Sequence, residues 1–470
     1  MTQLNSDLCF VFTDTETTGL DINFSQIIQV GSLLTDESLV VEEEQDLSSK
    51  LLPWVIPSPE ALLVNKKVEC LSDEGFTHYE MMTKLHADWL DWAKRRNPVF
   101  ITYNGHRFDE ELLRRQFYWC LLDPYITNTD GATRIDLMYT FQVVANFFFD
   151  NVDIPINEDG DISPKLTDWA ECNDIPTLNA HDALADCYLM VNLSRIIKKQ
   201  AKAAWDSSLQ GSSKNGNLRL LQSEPFAMLG EVIRKKKFTY PITFCGQNQK
   251  MTNEVAVVDL YYDPDSLDEL TDSELLDQIG TSGTGIRKLR INKSMPLIEA
   301  SNIPSIQEYL DVPFEQLEER ANKVRNNTKF QKRVTELMSN NQPQYPPPKY
   351  IEQAVYSGFA SNEDKLWMER FHSTPWEERH KLVEGFEDAR YRELSERLIF
   401  SRFPEQLQGD DRKKYDSFIK QRLYDKGPWL DLTSAREKTS SLLDKAIKEN
   451  RNEDKHLLEK LLKKFLETSI

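Results

Sequence analysis

A chain of 470 residues is longer than one ordinary hydrophobic core can organise, so two or three packed domains are expected. Apolar residues at 40% and charged residues at 28% exclude a largely disordered chain. A net charge of -19 excludes a protein that coats nucleic acid nonspecifically, since such binding draws on counterion release by many lysines and arginines; a polyanion has to be gripped in a local groove.

Residues 1–7 carry neither the basic nor the apolar part of a signal peptide, and nowhere does an apolar run approach the roughly 18–20 residues of a membrane span. A cytoplasmic protein without membrane contact is expected. Its six cysteines form no CxxC pair and have no histidine at zinc spacing, which predicts reduced, buried thiols.

Residues 8–12, LCFVF, predict a strand that runs into the acidic segment 14–19, and 27–34 and 99–103 predict two more strands of a mixed sheet. Apolar spacing predicts helices over 110–120, 134–148 and 182–199. The Ser-, Gly- and Asn-rich stretch 205–216 reads as a linker that closes a first domain, 1–199. Strand-forming segments at 238–244, 255–262 and 288–291 predict a β-rich second domain, 200–349, barrel-like with helical additions. The run NNQPQYPPPK at 340–349 can be neither helix nor central strand, because proline fixes φ and removes a donor. Beyond it, 350–470 is charged and nearly glycine-free, predicting a helical third domain with helices over 390–401 and 442–466 and with Trp367 and Met368 in its core.

The chemistry concentrates in DTETTG, starting at Asp14. Strand residues two apart share a face, so Asp14 and Glu16 point at one spot where a strand ends. Two carboxylates about 4 Å apart repel by roughly 4 kcal/mol at an intermediate dielectric, and a divalent cation is the natural neutraliser. Alone, such a pair is an ordinary acidic turn, and a lone histidine on a helix is usually structural. Here, however, Asp109 follows a predicted strand in NGHRFDEE, and Asp186 lies five residues after His181 in NAHDALADCY.

These motifs, in this order, resemble the DEDDh exonuclease superfamily, whose pattern is DxE, a central Asp and a final HxxxxD. Within it, FTDTETTG, YNGHRFDEE, DPY at Asp123, RIDL at Arg134, NAHDALADCY, VVDL, IRKLRINKSMPLIEA and YSGFAS resemble the bacterial exonuclease I family along nearly the whole chain. The resemblance implies a ribonuclease H-like mixed-sheet α/β nuclease domain, an SH3-like β-rich domain and an all-helical C-terminal domain. It implies Asp14, Glu16, Asp109 and Asp186 as ligands of two Mg2+ ions, with Mn2+ able to substitute, and His181 as general base. The implied reaction is processive 3'-to-5' hydrolysis of single-stranded DNA to 5'-mononucleotides, in DNA repair, recombination and mismatch correction. Docking to the C-terminal tail of single-stranded DNA-binding protein is implied as well, and a monomer is expected.

The resemblance places the Glu16–Thr17–Thr18 turn and Lys165 beside the terminal nucleotide, with lysine where the family more often has arginine. Arg107 and Arg114 flank Asp109 and can meet the DNA backbone or pair with Glu110, Glu111 or Asp123. Basic clusters at 234–237 and at Arg287, Lys288, Arg290 and Lys293, near Phe238, Tyr240 and Phe244, suit either a single-strand channel or a solvated surface. His106 is expected to be structural. Two rival functions remain: a 3' exoribonuclease, since the acidic residues do not read the sugar, and a non-catalytic binding scaffold, which an intact acidic set disfavours.

Overall fold

The computed structural model describes residues 8–177, 182–341, 346–404 and 409–468; the proline-rich run therefore lies partly outside the described residues, at 342–345. The first part of the chain builds β1 (Leu8–Thr17), β2 (Ile27–Thr35), β3 (Val41–Ser48), α1 (Pro59–Asn65), α2 (His78–Arg95), β4 (Asn97–Thr102), α3 (Asp109–Trp119), β5 (Thr133–Asp136), α4 (Leu137–Phe147), α5 (Leu166–Cys172) and α6 (Ala183–Gln200). The strands form one mixed sheet in the order β3-β2-β1-β4-β5. The first two pairings are antiparallel and those of β1 with β4 and β4 with β5 are parallel. Strand β3 was not predicted, because VEEEQDLS lacks apolar alternation; it is a charged edge strand, a composition that protects an open sheet edge.

Alternation along β1 sends Phe10 and Phe12 into a core shared with Cys187 and Met190 of α6, and Cys9 and Val11 into the opposite core with Trp89 of α2 and Phe117 of α3. The pairing of β1 with β4 stops at Phe12 and Ile101, whereas that with β2 runs on through Asp14 opposite Gly31 and Glu16 opposite Gln29. The end of β1 thus projects past β4. Directly beneath it, Gly31 lets α6 touch the sheet: a Cβ there would lie 2.4 Å from backbone atoms of Ala183 and Leu184.

The expected linker is not one. Residues 202–221 form α7 (Lys202–Gln210) and α8 (Lys214–Leu221). Ser213 caps α8, and Trp205 is buried edge-on against Phe10 at 5.4 Å. Burial of one large side chain outweighed a polar composition. Next come β6 (Ala227–Ile233), β7 (Lys236–Gln247), β8 (Glu254–Asp259), α9 (Pro264–Asp268), α10 (Asp272–Gln278), β9 (Ile286–Arg290) and β10 (Leu297–Glu299). These five strands form an all-antiparallel sheet, β10-β6-β7-β8-β9, braced by α11 (Phe314–Asn326) and α12 (Thr328–Asn340).

The C-terminal part is helical: α13 (Asn362–Ser373), α14 (Ala389–Arg402), α15 (Gly409–Tyr424), α16 (Leu432–Lys448) and α17 (Asn452–Glu467). The helix expected over 442–466 is broken in two. Asn450 takes a left-handed φ of 54°, and the Arg451 N–H donates back to the Ala446 carbonyl at 2.9 Å, a closure that ends α16. The resulting hairpin packs Leu432, Leu457, Leu461 and Phe465 against Leu62 of α1. Trp367 and Met368 are half-buried at the edge of the core, not inside it. None of the six cysteines is paired, and five are buried. No described helix is long and apolar enough to cross a membrane.

If Gly31 sets the approach of α6, Gly31→Ala should destabilise the fold by roughly 1–3 kcal/mol, read from denaturant unfolding. An unchanged unfolding midpoint would show that α6 is positioned by other contacts.

Candidate active site

Asp14 and Glu16, on the projecting end of β1, share a face with Asp186 in the first turn of α6. One carboxylate oxygen from each lies within 4.8 Å of the others. The start of α6 is clamped from several sides. Asp182 caps it by accepting from the Ala185 N–H at 3.1 Å, and its carboxylate also meets Lys67 at 2.7 Å and the Gln29 amide at 3.0 Å. The Gln29 carbonyl accepts from the Ala183 N–H at 3.2 Å. Since Gln29 pairs with Glu16 across the sheet, one register fixes both halves of the cluster.

Asp109 arrives from the other side, buried at the start of α3, with Oδ1 accepting from the Thr15 hydroxyl at 2.5 Å. The turn before it is shaped by Asp136, which accepts from the Asn104 and His106 N–H groups at 2.7 and 3.2 Å.

This crowding shows in the acidities. Desolvation, then the charges of Asp109, Asp186 and Glu16, raise the Asp14 carboxyl well above the usual range. Desolvation and Asp186 push Glu16 from 4.5 up to about 8, against the opposing pull of Asn65 and Lys67. Desolvation lifts Asp109 to about 6 despite the Thr15 hydrogen bond. A set of converging hard oxygen donors, short of positive charge, fits divalent cations such as Mg2+ or Mn2+ and offers nothing to a soft metal.

Residues 349–468 match the family model described as the exonuclease I C-terminal domain. The chain is 25% identical over 410 residues to exodeoxyribonuclease I of Haemophilus influenzae, covering 83% of this chain and 85% of that one. The chain is thus similar to the exonuclease I family, whose C-terminal domain its residues 349–468 match. In fold it is similar to Escherichia coli exonuclease I solved in complex with a dA16 oligonucleotide, with a TM-score of 0.82 at 21% identity, over 98% of this chain and 100% of that one. A solved SSB/exonuclease I structure in complex with the inhibitor CFAM gives a TM-score of 0.79 at 20% identity, over 98% and 100%.

Against that family pattern, Asp14, Glu16 and Asp186 converge, and Asp109 is electrostatically coupled to them; His181 lies outside the described residues. The hydroxyls of Thr17 and Thr18 are spent on the turn itself, on the Gly19 carbonyl at 2.9 Å and the Gln26 N–H at 2.8 Å. Lys165 is exposed at the cap of α5, beside Pro164, whose carbonyl accepts from the Tyr103 hydroxyl at 2.6 Å. Arg107 is exposed near Tyr139. Arg114 is buried and pairs with Glu111 at 3.3 Å and the Tyr356 hydroxyl at 2.7 Å, so of its two options the structure takes the internal pair.

His106 accepts from the Ser294 N–H at Nε2, 2.8 Å, and its Nδ1 lies 2.6 Å from the Glu110 carboxylate, so the ring is set within the fold. The basic clusters are partly neutralised within the protein. Lys236 pairs with Asp161, and Arg287 lies over Tyr240 while meeting Glu231 and Asp259. Lys293 instead borders a cavity of about 1030 Å³ that begins at Glu110, one residue past Asp109, and is enclosed by α3, the 290–293 turn and the 355–372 segment. Lys67 and Gln29 escaped the sequence analysis because neither belongs to a motif; only the fold brings them to Asp182.

The raised acidities give a signed expectation. With chelator present, the folded chain retains protons on Glu16, Asp109 and Asp14 that the unfolded chain has released, so stability should fall as pH rises from about 5 to about 8. Thermal unfolding across that range should show the decline, and excess magnesium should flatten it. A level profile in chelator would contradict the charge crowding.

Proposed function

We propose that this chain removes nucleotides one at a time from the 3' end of single-stranded DNA and releases 5'-mononucleotides. The reading rests above all on the convergence of Asp14 and Glu16 with Asp186, from a strand and a helix far apart in sequence, beside Asp109. The match to the exonuclease I C-terminal domain, the likeness to exodeoxyribonuclease I and the fold shared with an oligonucleotide-bound exonuclease I support it.

In this reading Asp14, Glu16, Asp109 and Asp186 hold two Mg2+ ions, with Mn2+ an acceptable substitute. Bound there, the cations would stabilise charge on the phosphoryl oxygens and acidify water. The protein's own groups do the rest. Lys67 and Gln29 keep the start of α6 in place, Thr15 aims Asp109, and the Glu16–Thr18 turn meets the terminal nucleotide. His181 accepts the proton of the attacking water. The new bond joins water oxygen to phosphorus; the phosphorus–O3' bond breaks, and O3' leaves with the bonding pair and takes a proton from solvent to become the hydroxyl of the shortened strand.

The large cavity offers a path for the upstream strand. Arg290, Lys293 and Lys365 line it with Tyr125, Tyr356 and Phe359, the last 80% exposed, a mix of cations for phosphates and aromatic faces for bases. Enclosure by three parts of the chain suits a strand that stays bound between cleavages, hence processive action. Participation in repair, recombination and mismatch correction, and docking of a single-stranded DNA-binding protein tail, follow from the same family reading, the latter supported by the SSB/exonuclease I structure.

Purified protein should shorten 5'-labelled single strands progressively, release labelled mononucleotide at once from 3'-labelled ones, and stop when chelator is added. Asp186→Ala should lower the rate at least about a hundredfold. Preferential digestion of a matched RNA would replace this reading with an exoribonuclease, and binding without digestion would replace it with a scaffold.

A further inference from the structure

The turn that follows Glu16 is held by more than its own domain. Its root is internal: the Thr18 N–H donates to the Gln26 carbonyl at 2.9 Å, the Thr18 carbonyl accepts from the Ser58 N–H at 2.7 Å, and the Thr17 carbonyl accepts from the Asn65 amide at 3.0 Å. Its tip, Leu20, is 86% exposed. Between root and tip Asp21 folds the loop, accepting from the N–H groups of Asn23 and Phe24 at 2.8 and 3.1 Å.

Phe24 is buried on this loop, in a box made by the C-terminal part of the chain. Its ring lies 5.7 Å from Tyr350 and 5.7 Å from Trp429, both edge-on, and those two rings are 5.2 Å apart. The Arg422 guanidinium closes the box, 5.0 Å from the Phe24 ring and 4.3 Å from the Trp429 ring, and is itself fixed by Glu352 at 2.8 Å. A second tie runs in parallel: Asn23 accepts from Arg115 at 3.0 Å, and Arg115 lies 5.5 Å from the ring of Tyr356. Aromatic pairs and cation–π contacts of this geometry act together to order a short loop.

We propose that Phe24 is a positioning residue through which the helical C-terminal part sets the Thr17–Leu20 turn for the terminal nucleotide. The inference rests on the proposed exonuclease reading and adds to it a division of labour. Asp14, Glu16 and Asp186 are held by β1, β2 and α6 and Asp109 by Thr15, so the cation ligands make no contact with the aromatic box; the nucleotide grip depends on it. Loss of the Phe24 ring therefore weakens substrate binding and leaves cation binding intact.

Phe24→Leu and, from the other side, Trp429→Leu should each raise KM for a short single-stranded oligonucleotide about 5–10-fold, with kcat changed less than twofold and the magnesium-induced rise in unfolding temperature unchanged. Phe24→Tyr, which keeps the ring, should restore KM to near the wild-type value, and the double variant should be no worse than either single one, because each breaks the same contact. Hydrogen exchange of the 19–25 amides should quicken in Trp429→Leu. A variant that unfolds earlier yet keeps wild-type KM, or additive effects in the double variant, overturns the proposal. A wild-type chain that leaves oligonucleotides whole overturns it together with the exonuclease reading, whereas wild-type digestion with an unmoved KM in Phe24→Leu overturns this proposal alone.

Discussion

Three acidic side chains with oxygens within 4.8 Å of one another repel, and the fold has to hold them there. At such a spacing each pair costs several kcal/mol at an intermediate dielectric. The opposing force comes from the packing of Phe10 and Phe12 on one strand against Cys187 and Met190 on one helix, brought to backbone contact by the absence of a side chain at Gly31. The hydrophobic core is therefore continuous with the acidic cluster: the same face of β1 carries aromatic rings up to residue 12 and carboxylates from residue 14. What separates them is the end of the β1–β4 pairing at Phe12, beyond which the strand is paired with β2 alone and can face a ligand.

The parts of this arrangement legible in the sequence are those written by local periodicity. Asp14 and Glu16 are two apart because a strand turns over every residue, and the apolar run before them names the strand. The helix bearing Asp186 shows its 3.6-residue repeat plainly. What local pattern could not supply is contact between distant segments. Residues 205–216 look like a linker until Trp205 is seen against Phe10. The break between α16 and α17 is carried by a single Asn450 whose left-handed conformation no hydrophobic pattern announces. Strand β3 has the pattern of a surface because it is the sheet's edge.

Charge gave the same lesson more sharply. Arginines and lysines near an acidic motif suggest phosphate contacts, but an acidic protein has many internal claimants for each cation. Arg134 is paired with Glu110, Arg114 with Glu111, and Lys67 with Asp182. Of these, Lys67 bears most on the site, since it lies close enough to oppose the upward shift of Glu16 while anchoring the cap of α6. Nothing in NKK distinguishes it from an ordinary surface lysine.

The helical C-terminal part shows why the extra domains cannot be treated as appendages. It meets the N-terminal sheet domain at several places, among them under α1 through the α16–α17 hairpin, at the rim of the large cavity through Tyr356 and Phe359, and around Phe24 through Trp429 and Arg422. α1 carries Asn65, which holds the Thr17 carbonyl, so two of these contacts end on the turn after Glu16. A carboxylate cluster built on a sheet and one helix is rigid by itself, whereas a turn of short side chains is not. The acidic centre is thus the business of one domain, and the geometry of what is presented to it is settled by contacts that reach across the molecule.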